Sequence, residues 1–195
     1  MNSNLRADNL GDPVNDVPNL NVPNLLTIVR LILVPVFGYF LLIAEQTDRN
    51  QWISAGIFLI AALTDFVDGL WARKFGLITN FGKIADPIAD KALIGTALVG
   101  LSIVGDIAWW VTAVILIREI GITLLRFWVI RRSVIPASAG GKVKTVSQIV
   151  AIVAYLVPVA GIVTSVANVA LGIALALTVF TGVDYLAKIR YLPNI

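Results

Sequence analysis

Residues 65–90 read DFVDGLWARKFGLITNFGKIADPIAD, and this stretch decides the fold. It holds four aspartates, three basic residues and three glycines, while long apolar runs flank it on both sides. Asp65 and Asp68 are three residues apart, and Asp86 and Asp90 are four apart. On helices, either spacing puts both carboxylates of a pair on one face. What they do there depends on the solvent around them, which composition decides.

The chain has 195 residues, of which 58% are hydrophobic and only 14% charged. Soluble domains carry about 25% charge. Mean hydropathy is +0.88. There is too little polar sequence to coat a soluble domain of this size, so the composition predicts an all-α integral membrane protein. The net charge is +3, but the basic residues form no long tract. They flank apolar segments, which favours contact with anionic lipid or phosphate over nucleic acid. The chain has no Cys and no His. Disulfides, thiolates and imidazoles are excluded, so any base or metal ligand must be a carboxylate or another oxygen group.

Outward from the aspartates, six apolar stretches predict six transmembrane helices. They cover about 24–44, 52–72, 87–105, 107–131, 145–164 and 167–188. About 20 residues suffice for each crossing. Pro35, Pro158 and the glycines inside them are tolerated in such spans. A water-soluble bundle is disfavoured because no helix shows a continuous polar face. Residues 1–20, rich in Asn, Asp and Pro, read as a flexible tail ahead of a membrane domain over 21–191. The first apolar run begins only near Leu25, so the first helix is expected to be retained, not cleaved as a signal peptide. With the N-terminus inside, every Lys and Arg except Arg49 falls on the inner side or within a span. By the positive-inside rule both termini are cytoplasmic, and the aspartate stretch joins spans two and three on that side.

As antiparallel neighbours, spans two and three would bring the two aspartate pairs together. Carboxylates that close repel one another, and a divalent cation relieves the repulsion. An all-oxygen ligand set points to Mg²⁺ or Mn²⁺, and four carboxylates suit two ions better than one. Helix capping is the competing explanation: Asp86 before Pro87 fits an N-cap with Pro at N1. Capping does not cover Asp65 and Asp68, which sit at a helix C-terminal end where negative charge is unfavourable. Gly69 and Ala72 beside Arg73 leave room for a flat ligand with a phosphate, or simply for close helix packing. Gly82 reads as a turn glycine. Arg118, deep in span four with Arg126 on roughly the same side, marks a cavity or pairs with Glu119. Gly140 and Gly141 suggest a turn that delivers Lys142 and Lys144 over a phosphate. Arg30 reads as a snorkelling side chain.

The series Asp65-x2-Asp68-Gly69-x2-Ala72-Arg73-x8-Gly82-x3-Asp86-x3-Asp90 resembles, without a departure, the signature of the CDP-alcohol phosphatidyltransferase family. The likeness extends from about Asn21 to Tyr191. PNLLTIVR (23–30), REI (118–120) and ASAGGKVKT (137–145) look like the branch that takes glycerol 3-phosphate as acceptor. The resemblance implies that Asp65, Asp68, Asp86 and Asp90 surround two divalent cations, Mg²⁺ or Mn²⁺. It implies that Gly69, Ala72 and Arg73 meet the CDP group of CDP-diacylglycerol. Asp90 would also be the general base. Arg118, Arg126, Lys142 and Lys144 would hold the phosphate of glycerol 3-phosphate, in a homodimeric enzyme of the cell membrane whose active site faces the cytoplasm. Branches that accept phosphatidylglycerol (cardiolipin synthases) or inositol phosphate share the donor signature and stay open as alternatives. A small-solute transporter or channel is the rival of another class. It requires a charged path continuing to the outer face, whereas here the charges thin out toward that side, leaving Glu45, Asp48, Arg49 and Asp106 at the rim.

Overall fold

The computed structural model describes residues 21–75, 79–129 and 139–190. The side chains of residues 70, 72–74, 80, 83, 126–129, 139–140 and 188–190 lie outside that description. So do the tail 1–20 and most of the basic loop that holds Arg131 and Arg132. Six helices follow one another: α1 (Val22–Leu42), α2 (Asp48–Phe75), α3 (Asn80–Val104), α4 (Trp109–Val129), α5 (Ala139–Leu156) and α6 (Ile162–Arg190). No strand occurs among the described residues.

Local chemistry sets the helix ends. Asn21 caps α1: its side chain accepts the backbone N–H of Asn24 at 3.0 Å, and Pro23 occupies the first turn. Thr79 caps α3 in the same way, accepting the N–H of Gly82 at 3.0 Å. Gly105 ends α3 in the left-handed region, with φ of 93°. The Asp86–Pro87 boundary is therefore corrected: α3 begins at Asn80, Asp86 is not its cap, and Pro87 lies inside the helix. A threonine hydroxyl already satisfies the first turn, so the helix starts before the proline. Gly140 and Gly141 form no turn either, because both belong to the first turn of α5.

Four segments are long and apolar enough to cross a bilayer: Val22–Leu42, Asp48–Gly69, Ile84–Val104 and Ile162–Ala187. α4 and α5 fall outside that set; α4 carries Arg118, Glu119 and Arg126, and α5 carries Lys142, Lys144 and Gln148. Large apolar side chains nevertheless point outward from every helix, among them Ile117, Ile162 and Phe180 at 72%, 83% and 71% exposure. Water would not tolerate such a surface, and lipid does. The chain is a multi-pass membrane protein.

Packing differs from the expected pairing of α2 with α3. α1 is wedged between them, touching both extensively, while α2 and α3 meet only slightly. Glycines make the wedge fit. Any side chain on Gly100 of α3 would collide with Leu41 of α1, and Gly38 of α1 lies against Thr96 of α3. Small residues let helix backbones approach closely in lipid, where van der Waals contact replaces the hydrophobic drive between helices. α5 and α6 form a tight hairpin, and α4 packs on α3 and α6. Phe37 and Phe58, with ring centroids 5.5 Å apart, close the middle of the bundle together with Leu98, Leu101, Ile115 and Ile152, all buried.

Candidate active site

A polar stripe on α1 organises the aspartates. Asn24, Thr27 and Arg30 recur every three residues, share one face and are all buried. Asn24 Nδ2 donates to Thr79 Oγ1 at 2.8 Å, and the Thr79 hydroxyl donates back to Asn24 Oδ1 at 3.0 Å. Thr27 Oγ1 donates to Asp86 Oδ1 at 2.6 Å. Arg30 forks: Nη1 donates to Asp65 Oδ1 at 2.6 Å, and Nη2 to Asp68 Oδ2 at 2.5 Å. α1 thus holds carboxylates from α2 and from α3 at once. Snorkelling is overturned for Arg30, whose side chain is wholly enclosed. A planar guanidinium can grip two carboxylates where an ammonium cannot.

Gly82 has a packing role, not a turn role. A Cβ there would sit 2.9 Å from Asn24 Oδ1, 3.3 Å from Thr79 Oγ1 and 3.5 Å from Asp86 Oδ2. Only glycine leaves room for this cluster.

The second half of the site joins α3, α4 and α5. Lys91 Nζ lies 3.2 Å from Asp90 Oδ2 and 3.7 Å from Glu119 Oε2. Glu119 is also ion-paired with Lys144, and its Oε1 lies 3.3 Å from Arg118 Nη1. Arg118 Nη2 donates to Thr181 Oγ1 of α6 at 2.7 Å, and its stem passes over Gly182. Lys91, Arg118 and Lys144 thus converge on Glu119, and with Asp90 also on Lys91 the three cations outnumber the two carboxylates by one. That positive balance favours a phosphate. Beside it a cavity of about 130 Å³ is lined by Asp90, Lys91, Glu119, Lys144, Thr145 and Gln148, among others. Lys142 does not share this face: it is exposed, while Lys144 two residues on is buried. Gly69 is half-buried near the end of α2. The side chains of Ala72, Arg73 and Arg126 lie outside the described residues.

Sequence reasoning passes over Asn24, Thr27 and Thr79 in the aspartate half and Lys91 and Gln148 in the other, and it gives Glu119 only as a partner for Arg118. For Lys91, Glu119 and Gln148 the signal is a charged or amide side chain inside an otherwise apolar helix.

Asp90 belongs to both halves. It lies one helical turn beyond Asp86 on α3, and it lines the cavity with Lys91 and Lys144. The four aspartates offer hard oxygens of the kind Mg²⁺ and Mn²⁺ take. Arg30, Thr27 and Lys91 engage only one oxygen of each carboxylate. The second oxygen of each accepts no hydrogen bond from the described residues. The donor chemistry therefore fits a divalent cation. As they stand, no three of these groups among the described residues are close enough to hold one ion. Arg30 braces Asp65 and Asp68, while Thr27 braces Asp86 and Lys91 braces Asp90.

The far end of the bundle is different. Gln46, Gln51, Ser54, Asp106 and Tyr155 surround a pocket of only about 30 Å³. Burial pushes the carboxyl of Asp106 above the ordinary range. Leu101 lines this pocket, and beyond it the buried Phe37, Phe58 and Leu98 belong to the apolar core. The charged path that a transporter would require is not seen among the described residues.

Aspartates and cations gathered at one end of an apolar helical bundle suit phosphoryl chemistry on a lipid. The sequence profile of CDP-alcohol phosphatidyltransferases matches residues 20–180, and the chain belongs to that family. Among its relatives is a probable phosphatidylglycerophosphate synthase of Mycobacterium tuberculosis (strain H37Rv), 50% identical over 169 residues. That match covers 86% of this chain and 81% of the relative. Two proteins called CDP-diacylglycerol–glycerol-3-phosphate 3-phosphatidyltransferase are also similar. The one from Escherichia coli (strain K12) is 39% identical, over 87% of this chain and 95% of the relative. The one from Bacillus subtilis (strain 168) is 36% identical, over 86% of this chain and 94% of the relative.

Proposed function

We propose that this protein transfers the phosphatidyl group of CDP-diacylglycerol to sn-glycerol 3-phosphate, giving phosphatidylglycerophosphate and CMP. The observation that carries the reading is Asp90, one turn from Asp86, on the wall of a cavity shared with Lys91 and Lys144. The names of the similar bacterial enzymes support the same substrates.

In this reading all six helices cross the cell membrane, both termini are cytoplasmic and the site opens to the cytoplasm. Residues 1–20 form a tail outside the catalytic unit 21–191. The enzyme works as a homodimer. Asp65, Asp68, Asp86 and Asp90 hold two divalent cations, Mg²⁺ or Mn²⁺. A divalent cation held by these carboxylates would supply charge neutralisation to the donor diphosphate. Gly69, Ala72 and Arg73 meet the CDP group. Arg118, Arg126, Lys142 and Lys144 hold the acceptor phosphate. Asp90 takes the proton of the acceptor's 1-hydroxyl as its oxygen bonds to the lipid-side phosphorus. The bond from that phosphorus to the bridging oxygen breaks, and CMP leaves with the electron pair. A carboxylate is too weak to deprotonate an alcohol beforehand, so proton transfer accompanies attack.

The test is an acceptor panel. Purified protein in detergent with CDP-diacylglycerol is offered labelled glycerol 3-phosphate, inositol phosphate or phosphatidylglycerol. Label from glycerol 3-phosphate in lipid, with CMP released, is the expected result. Product only from another acceptor would reassign the branch. Glycerol 3-phosphate carried unchanged into sealed vesicles would replace enzyme by transporter.

A further inference from the structure

Gln148 lies on α5 one turn after Lys144, on the same face. It is 3% exposed and lines the cavity shared with Asp90 and Lys144. Its Nε2 is buried and has no hydrogen-bond partner among the described residues. A buried amide left unmatched weakens a fold, so such a group signals a partner that arrives from elsewhere. The two ends of the amide exchange by a half-turn, so it can either donate or accept. The nearby carboxylates do not answer it, since Glu119 and Asp90 face Lys91, Arg118 and Lys144 instead. A neutral hydroxyl is the complement it lacks.

Resting on the proposed acceptor, we propose that Gln148 recognises the secondary hydroxyl of glycerol 3-phosphate. With the phosphate at Arg118 and Lys144 and the 1-hydroxyl at Asp90, the 2-hydroxyl is the remaining polar group, and Gln148 is the remaining unmatched side chain on the cavity wall. The amide then does more than add affinity. It fixes which carbon of the acceptor faces Asp90.

The experiment compares glycerol 3-phosphate with 3-hydroxypropyl phosphate, which lacks only the 2-hydroxyl. Wild-type kcat/KM should favour glycerol 3-phosphate by roughly tenfold, the worth of one well-made hydrogen bond. Gln148→Met, apolar and of similar length, should bring the ratio close to one, leaving the KM for CDP-diacylglycerol unchanged. Because the ratio is taken within one preparation, partial misfolding cancels. Should Gln148→Met yield no folded protein, Gln148→Glu, which keeps a hydrogen-bonding oxygen, must retain the preference. Equal use of both acceptors by the wild type overturns the inference, as does an unchanged ratio in Gln148→Met or a lost preference in Gln148→Glu. Absence of any turnover of glycerol 3-phosphate by the wild type would instead refute the proposed function.

Discussion

Arg30→Met should unfasten the aspartates from α1. The wild-type guanidinium makes two ion pairs of unequal worth. Asp68 is enclosed, with only 4% of its side chain exposed, whereas 43% of the Asp65 side chain is open. Stranding one partner of a buried pair costs about 3–5 kcal/mol. The exposed arm, screened by solvent, adds about 0–1 kcal/mol. The loss is therefore about 3–6 kcal/mol, carried mainly by Asp68. For a chain of this length that lowers Tm by on the order of 10 °C. The assay is thermal unfolding in detergent with EDTA, followed through the five tryptophans. Arg30→Lys keeps the charge but cannot fork, so it should fall between the two. Mn²⁺ should raise the Tm of Arg30→Met more than that of the wild type, because the ion supplies the missing positive charge. A variant within 2 °C of wild type in EDTA, by the scale of about 2–4 °C per kcal/mol, would refute the brace.

Gly82→Ala should destabilise by about 1–3 kcal/mol, since its Cβ would stand 2.9 Å from Asn24 Oδ1 and push apart the Asn24–Thr79 pair; chemical denaturation in mixed micelles reads this. Thr27→Val removes the hydrogen bond to Asp86 at nearly constant volume. It should cost about 1 kcal/mol of stability and a larger fraction of kcat, seen as an activity loss in protein with near-normal Tm. Glu119→Gln leaves Lys91, Arg118 and Lys144 without their shared carboxylate. Its Tm should fall in phosphate-free buffer, and glycerol 3-phosphate should restore it by more than it raises the wild type. Asp90→Asn should lower kcat by about 10²–10⁴-fold with little change in donor KM; activity near wild type would remove Asp90 as base.

The spacing of Asp65, Asp68, Asp86 and Asp90 announced the site, and the apolar runs announced six helices, because both are local patterns. What stayed hidden depended on neighbours far apart in sequence. Arg30 at a helix end obeys the positive-inside rule whether it snorkels or lies buried, so only the wedge of α1 between α2 and α3 reveals its fork. Asp86–Pro87 reads as a helix start, yet Thr79 caps the helix two turns earlier. Gly82 is glycine because Asn24 arrives from 58 residues away. Lys142 and Lys144 look alike in sequence, and the period of α5 sends one outward and one onto Glu119.

Anomalous diffraction from Mn²⁺-loaded crystals with the lipid donor bound tests the centre of this reading most directly. Two manganese peaks enclosed by oxygens of Asp65, Asp68, Asp86 and Asp90, with the donor diphosphate against them, are expected. Saturating manganese with both aspartate pairs still apart, and no peak between them, would contradict it.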